Sequence, residues 1–210
     1  MRAGAVTALT TALLLALAGA AQGHDGKAHG GPAAGAAATL PFTFGGPFDL
    51  VDHTGQRRTD RDFRGRFLLV YFGYTKCPDT CPVDLDIIGD ALDRLGDRAG
   101  RVQPLFITVD PGRDTVARLA SYIPRFHPSL IGLTGSEAQI AKIAKAYRAA
   151  RFKVPRPDEG ADAYLVGHGS LTYLMGPEGQ FVTFFRHDGG AEAMAKALRK
   201  YLDGAGNGGS

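Results

Sequence analysis

From residue 41 onward, short apolar runs alternate with segments in which apolar residues recur every three or four positions. Residues 67–72, FLLVYF, are apolar throughout, which is typical of a central strand buried on both faces. Two short strands are predicted on either side of a turn at 53–56. Other runs of strand type occupy residues 105–109, 130–133, 171–175 and 181–185. The last two flank the sequence GPEG and predict a hairpin.

Four segments carry the apolar stripe of an amphipathic helix. The stripes are Ile88, Ala91, Leu92 and Leu95; Val116, Leu119, Ala120 and Ile123; Ile140, Ile143, Ala144 and Tyr147; and Met194, Ala197, Leu198 and Tyr201. Asp114 or Thr115 is the expected N-cap of the second helix, and Ser136 and Gln139 predict a capping box at the third. The alternation predicts an α/β fold with a central mixed sheet, helices on both faces and an N-terminal hairpin.

The first forty residues depart from this pattern. Residues 1–21 combine one arginine, a run rich in alanine and leucine, and small residues at the end, as in a secretory signal peptide. The alternative is an uncleaved membrane anchor. Residues 22–40 are rich in glycine, alanine and histidine without an apolar period, and they predict a flexible linker. One domain is expected at 41–203, followed by a loose tail at 204–210.

The overall charge of the chain gives no indication of a nucleic-acid partner. The formal charge is +3, and it falls to +2 when the N-terminal segment with its single arginine is removed. Such a small excess does not indicate nucleic-acid binding. An exported chain meets oxidising conditions, so its two cysteines either form a disulfide or belong to a site that is kept reduced.

Cys77 and Cys81 stand in the sequence YTKCPDTCP, directly after the central strand. Pro82 suits the first position of a helix, so we expect a helix to begin just after Cys81. The positive end of that helix, with Lys76 nearby, would lower the pKa of at least one thiol. A thiol pair between a buried strand and a helix is typical of a thioredoxin-like domain.

Several kinds of chemistry compete for this pair. A structural disulfide is disfavoured, because closing a loop of about five residues stabilises by only about 2 kcal/mol, against ~4.7 kcal/mol for 100 residues. Peroxiredoxin-like sites usually place Thr or Ser three residues before the attacking cysteine, where this chain has Tyr74 and Pro78. Thiol–disulfide exchange needs only the two sulfurs. Copper would need one more ligand, and an imidazole beside two thiolates suits it.

Six histidines are available as that ligand. Five of them lie at positions where a solvated or helix-terminal histidine is ordinary: His24, His29, His53, His127 and His187. His168 differs, because glycines flank it just before an apolar strand and let the backbone approach another element closely. The pattern alone leaves open whether His168 is a ligand.

Four stretches together resemble the Sco/SenC family of copper-binding, thioredoxin-like proteins. They are YFGYTKCPDTCP at 71–82, FITVDPGRDT at 106–115, FHPSLIGLTGS at 126–136, and the segment 166–179 around His168. The resemblance runs in order from about Pro41 to Leu202. It implies a site for copper, as Cu(I) or Cu(II), made by Cys77, Cys81 and His168. It also implies a role in assembling the binuclear copper site of cytochrome c oxidase.

The chain departs from the family pattern beside the predicted ligand. The family usually has an Asp just before this histidine and a hydroxyl or similar residue just after it, whereas this chain has Gly167 and Gly169. An acidic neighbour would orient the ring, so the affinity of the site stays open. Asp110, Arg113 and Asp114 match the family segment VDPxRD, although Asp110 can simply end a strand and Asp114 can cap a helix.

The main hypothesis from the sequence is a periplasmic copper metallochaperone. Its partner would be the copper-site subunit of cytochrome c oxidase or another periplasmic copper protein. The alternatives are a thiol–disulfide reductase with Cys77 and Cys81 as its redox pair, or a copper or redox sensor, so enzyme activity stays open. We expect a monomer, in the periplasm or anchored to the inner membrane and facing the periplasm. A mature start at Gln22 would place His24 third and create a Cu(II) chelate.

Overall fold

The structure, a computed structural model, describes residues 43–160 and 163–206. The chain divides into two units between Thr39 and Leu40, and residues 1–39 lie entirely outside the described residues. The predicted signal peptide at 1–21 and linker at 22–40, with His24 and His29, therefore stay predictions. None of the helices in the described ranges has the length and apolar character needed to cross a bilayer.

The described residues form nine strands, seven of which make one sheet. The strands are β1 (Asp49–Asp52), β2 (Arg57–Thr59), β3 (Phe67–Gly73), β4 (Val102–Thr108), β5 (Ile131–Thr134), β6 (Arg151–Pro155), β7 (Tyr164–His168), β8 (Leu171–Met175) and β9 (Phe181–Arg186). The large sheet has the order β2-β1-β5-β4-β3-β8-β9. Its pairs β3–β4 and β4–β5 are parallel and the others are antiparallel, which confirms the predicted mixed sheet and N-terminal hairpin.

Four α-helices accompany the sheet: α1 (Thr80–Asp93), α2 (Val116–Tyr122), α3 (Glu137–Ala146) and α4 (Gly190–Gly206). Thr115 is the N-cap of α2, and the predicted capping box of Ser136 and Gln139 begins α3. Helix α4 continues to Gly206, three residues beyond the predicted domain end at 203. Every position of β3 and β4 is buried, so both faces of the sheet are covered along these central strands.

Helix α1 begins two residues earlier than the sequence predicted. Asp79 is its N-cap, and Cys81 and Pro82 are its second and third residues. The prediction placed Pro82 first, but any position in the first turn suits proline, because none of those N–H groups has a partner within the helix. Cys81 therefore belongs to the first turn of α1, while Cys77 precedes the helix.

The sequence did not predict the two-stranded sheet of β6 and β7, here called the ribbon (151–168). Its strands pair antiparallel, with Arg151 opposite His168 and Phe152 opposite Gly167. The ribbon pairs with none of the seven strands of the large sheet. Its first strand, RFKVP, is mostly exposed and alternates charged with apolar residues, a weak strand signal that ends in proline. His168 is the last residue of β7.

Candidate metal centre

The cysteine motif is held close to the end of the central strand. Gly73 ends β3, and a Cβ atom at this position would lie 3.0 Å from Cys81 Sγ and 2.8 Å from the Tyr71 ring. Both distances are shorter than van der Waals contact, so a larger residue would push α1 away. The Cys77 amide donates a hydrogen bond to the carbonyl of Tyr74, at 3.1 Å, which closes the turn that presents the first sulfur.

The two sulfurs differ in their surroundings. Cys81 is fully buried, whereas Cys77 is half-buried, and both are free thiols. The amide of Cys81 donates to Cys77 Sγ at 3.4 Å, and the hydroxyl of Thr80 lies 3.6 Å from the same sulfur. Cys77 thus accepts a hydrogen bond from the first turn of α1, where backbone N–H groups lack helical partners.

The ribbon brings His168 to the sulfurs. Its Nε2 atom lies 3.3 Å from Cys81 Sγ, and the ligand atoms of Cys77, Cys81 and His168 all lie within 4.8 Å of one another. The other ring nitrogen, Nδ1, lies 3.3 Å from the carbonyl oxygen of Gly169. A carbonyl only accepts, so Nδ1 is the donor in this contact, and Nε2 is the ring nitrogen that faces the sulfurs.

Two tyrosines fix the plane of the imidazole. The rings of Tyr71 and Tyr74 meet the His168 ring edge-on, with centroids 6.2 and 5.7 Å away. Both tyrosines are buried, so these contacts are anchored in the core and not on the surface. The structure therefore brings together all three residues that the resemblance proposed as ligands.

The two thiols have opposite shifts in pKa. The hydrogen bond with Cys81, followed by one with His168, lowers the pKa of Cys77. The hydrogen bond with Cys77 and burial both raise the pKa of Cys81. A thiolate on Cys77 is thus stabilised by a proton on its neighbour. The expectation that at least one thiol has a lowered pKa agrees with this arrangement.

A buried carboxylate fixes the loop before Cys77. Asp114 is fully buried and accepts three hydrogen bonds: from the Thr75 amide at 3.0 Å, the Thr75 hydroxyl at 2.6 Å, and the Thr108 hydroxyl at 2.7 Å. Asp114 is therefore not a helix cap, since Thr115 has that role. It joins the cysteine loop to β4, a function that sequence reasoning missed because an Asp before a helix normally predicts a cap.

Arg113 and Asp110 attach the start of β7 to the core. Arg113 forms an ion pair with the buried Asp110 and donates to the Tyr164 carbonyl at 2.9 Å. The Tyr164 hydroxyl donates to Asp110 at 2.8 Å, and the guanidinium group lies 3.6 Å from the centroid of the Tyr164 ring. Asp110 thus acts on the site through the ribbon and does not reach the sulfurs as a ligand.

Arg151 attaches the other strand of the ribbon. Its Nε donates to the Val109 carbonyl at 2.5 Å, and its guanidinium group pairs with Glu137 at the start of α3. Because Arg151 lies opposite His168 in the ribbon, this contact anchors the strand that faces the histidine. The ribbon is therefore held at both of its ends by arginines.

A second histidine reaches the helix that carries Cys81. His187 donates from Nδ1 to the buried Asp84 at 2.6 Å, and this bond raises the pKa of the imidazole. Asp84 lies about one turn beyond Cys81 in α1, close to the hydroxyl of Tyr71 in the core. The buried Tyr71 hydroxyl finds no hydrogen-bond partner among the described residues, and burial raises its pKa. No sequence pattern indicates the Asp84–His187 pair, since 103 residues separate its members.

The remaining described histidines have other contacts. His53 Nδ1 accepts from the Gly132 amide at 3.2 Å beside the N-terminal hairpin. His127 Nδ1 accepts from the Ser129 amide at 3.1 Å, and its Nε2 lies 3.4 Å from Asp93. Within residues 43–160 and 163–206, Cys77, Cys81 and His168 form the single cluster of three or more side chains that could hold a metal ion.

Comparison with known proteins assigns the chain to a family. The sequence profile described as SCO1/SenC matches residues 36–203. The chain belongs to the SCO1/SenC family. Among SCO1/SenC relatives, it is 45% identical over 159 residues to Protein sco1 of Schizosaccharomyces pombe and 44% identical over 159 residues to the mitochondrial SCO2 homolog of Bos taurus. These matches cover 75% of this chain but only 60% and 59% of the two relatives.

Solved SCO1/SenC structures have the same fold. Bradyrhizobium japonicum ScoI with copper bound superimposes with a TM-score of 0.70 at 41% identity, covering 75% of this chain and 99% of that one. Yeast Sco1 with copper bound gives a TM-score of 0.70 at 39% identity, covering 77% and 89%. These neighbours confirm the predicted α/β, thioredoxin-like fold and the family resemblance seen in the motifs.

Proposed function

We propose that this protein is a copper metallochaperone of the periplasm, which binds copper through Cys77, Cys81 and His168. One observation carries the proposal: the two free sulfurs and the His168 Nε2 lie within 4.8 Å of one another. Thiolate ligands select soft ions such as Cu(I), and the three-coordinate set of two sulfurs and one imidazole suits copper. The copper-bound ScoI and Sco1 relatives support the same ion.

The residues present fit the ion in charge as well as in type. The lowered pKa of Cys77 provides a thiolate, and the orientation of His168 directs its Nε2 toward the sulfurs. Cys81 must release a proton when metal binds, so its raised pKa makes binding weaker as the pH falls. Bound copper would supply a soft, positively charged centre that a partner's sulfur can attack.

The partial exposure of the site supports transfer of copper to a partner over storage of copper. Cys77 and His168 are only half-buried, so a partner's ligand has access to the ion from their side, whereas Cys81 lies behind them. We propose a monomer that delivers copper to the copper-site subunit of cytochrome c oxidase, as the family resemblance implies, or to another periplasmic copper protein. The N-terminal segment would be a cleaved signal peptide or an anchor facing the periplasm.

The test is to remove the histidine and keep the sulfurs. His168→Ala should lose most of its copper affinity, because a methyl group cannot replace an imidazole in a three-ligand site. Copper stoichiometry, dithiol titration and oxidase activity would be measured beside a Cys77→Ser, Cys81→Ser double variant. Full copper affinity in His168→Ala would show that the ligand assignment is wrong.

A second candidate, thiol–disulfide reductase, is favoured by the unequal exposure of the two sulfurs, since only Cys77 is open to a partner. A Cys77 thiolate would attack a partner disulfide and release one partner thiolate. The Cys81 thiol would then give up its proton and attack Cys77, forming the internal disulfide and releasing the second partner thiolate. A periplasmic dithiol reductant would restore the pair. This chemistry needs no His168, so full oxidase activity in a copper-free His168→Ala variant would favour the reductase.

A further inference from the structure

The side chain of Phe152 lies against the backbone of Gly167. A Cβ atom built at Gly167 would fall 2.3 Å from Cζ of the Phe152 ring, 2.5 Å from Cε2 and 2.8 Å from Cε1. Side chains do not approach a Cβ atom so closely, so the ring occupies the space that any larger residue would need. Phe152 and Gly167 are direct cross-strand partners, and this contact is therefore built into the register of the ribbon.

The contact lies directly beside the histidine ligand. His168 is the residue after Gly167, and Gly169 comes next, with nothing within 4 Å of the position where its Cβ would lie. Glycines on both sides give the backbone around His168 more conformational freedom than any other pair of neighbours. A glycine also weakens a strand interior because it offers no side chain for packing.

Besides the edge-on contacts of the His168 ring with Tyr71 and Tyr74, arginines hold the ribbon. A two-stranded sheet by itself is marginally stable. Arg113 anchors the start of β7 at Tyr164, four residues before His168, and Arg151 anchors β6 opposite His168. Val166 is buried, but its side chain points to the opposite face from that of residue 167. On the face of β7 that points away from the core, the ring of Phe152 packs on Gly167.

The exposure of Phe152 makes the contact informative. The residue is 60% exposed, more than any other large apolar residue among those described. An aromatic ring so exposed buries little surface in the core, and its close packing is with a glycine. An aromatic residue across from a glycine is a known means of restoring a strand that the glycine weakens.

We infer that Phe152 is a positioning residue for His168: its ring covers Gly167 and holds the adjacent imidazole in the orientation that faces the sulfurs. The inference rests on the proposed function for its copper readout. Phe152 pairs with Gly167, and the side chain of His168 points to the opposite face of β7, so the ring acts through the backbone of that strand. The ring thereby takes over part of the orienting role that a polar neighbour of a ligand histidine commonly has.

The first test uses the metal-free protein. In Phe152→Ala, the NMR cross-peak between the His168 and Tyr74 rings should weaken, and the amides of β7 should exchange faster with solvent. Phe152→Leu, which keeps an apolar cover, should retain most of both signals. Phe184→Ala is the matched control, because Phe184 is also an exposed phenylalanine, at 45%, but lies on β9 outside the ribbon.

The second test measures Cu(I) affinity by competition with a chelator. Phe152→Ala should lower the affinity by about tenfold, the lower end of what loss of an orienting group costs, while the dithiol titration stays unchanged. Gly167→Ala should have a similar effect, because its Cβ displaces the ring. Added to Phe152→Ala, however, Gly167→Ala should cost nothing more, since the ring is already absent.

Each outcome decides the inference separately from the proposed function. Wild-type protein that binds no copper would overturn the proposed function, and the metal-free NMR comparison would still test the position of His168. Unchanged His168 signals and unchanged Cu(I) affinity in Phe152→Ala would overturn the inference. The inference would also be overturned if Phe152→Ala kept its His168 signals and its Cu(I) affinity but no longer supported oxidase assembly. Phe152 would then act as a docking residue for the partner. Additive costs in the double variant would overturn it as well.

Discussion

The two halves of the candidate metal centre are built in different ways. The cysteine half lies between β3 and α1. Cys81 is fully buried, and two hydrogen bonds from Thr75 fix the preceding loop to Asp114, which also accepts from Thr108 on β4. The histidine half stands on a ribbon that pairs with none of the strands of the large sheet. The backbone that carries the sulfurs is therefore part of the core, whereas the backbone that carries the imidazole belongs to a separate ribbon, and only the ring of His168 reaches the buried Tyr71 and Tyr74.

The different construction of the two halves affects disulfide exchange and copper binding differently. Disulfide exchange depends on the geometry of the sulfurs, which the core determines. Copper binding depends on the geometry of sulfurs and imidazole together, so it also depends on the ribbon. Variants in the two halves should therefore have separable effects, and a variant in the cysteine half should be the more severe.

The largest effect is expected from Asp114→Ala in the cysteine half. This change leaves two hydroxyls and an amide without their acceptor in the core, and the free energy of unfolding should fall by about 3 kcal/mol. Both copper binding and disulfide exchange should be impaired, because the loop before Cys77 loses its anchor. Urea denaturation and dithiol titration would measure this, with the exposed Asp86→Ala as a control. An unchanged unfolding midpoint would contradict the role of Asp114.

A smaller effect, confined to the histidine half, is expected from Arg113→Lys. Lysine keeps the charge near Asp110 but cannot also donate to the Tyr164 carbonyl in the same fork geometry. We expect a loss of about 1 kcal/mol in stability, faster amide exchange in the ribbon and weaker copper binding. Disulfide exchange at Cys77 and Cys81 should be unchanged. Impaired exchange would show that the two halves are not independent.

The influence of one half on the other can be measured through Cys77. Its pKa is lowered first by the hydrogen bond with Cys81 and only then by that with His168. In His168→Ala the pKa of Cys77 should therefore rise, but stay below that of a free thiol. The rate of alkylation against pH gives the value, and Cys81→Ser should alter it more than His168→Ala. The reverse order would mean that the histidine half controls the thiolate.

The smallest effect is expected from His187→Ala, on the far side of Asp84. The raised pKa of His187 means that its protonated form favours the folded state. This stabilisation is fully present below the ordinary histidine value of 6.5 and is lost as the pH rises through the raised value. The stability difference between wild type and His187→Ala should thus shrink as the pH rises. A difference that is constant from pH 5 to 9 would contradict the pairing with Asp84.

The same contrast explains which features could be predicted from the sequence. The continuous apolar run of β3 and the helix stripes predicted the sheet and the cysteine half, because burial leaves a strong pattern. The ribbon was missed, because its exposed strand carries charged residues and proline. The roles of Asp114 and of the Asp84–His187 pair were also missed. Both depend on contacts over 39 and 103 residues, for which a single sequence contains no local signal.

The ribbon is an insertion between α3 and β8, and the seven-stranded sheet is complete without it. The third ligand is therefore a modular part of the molecule. Exchanging residues 151–168 for a segment of another length or with another donor would change the metal preference while leaving the thiol pair in place. An evolving lineage, or a protein engineer, could convert a metal carrier into a pure dithiol protein, or the reverse, without redesigning the core.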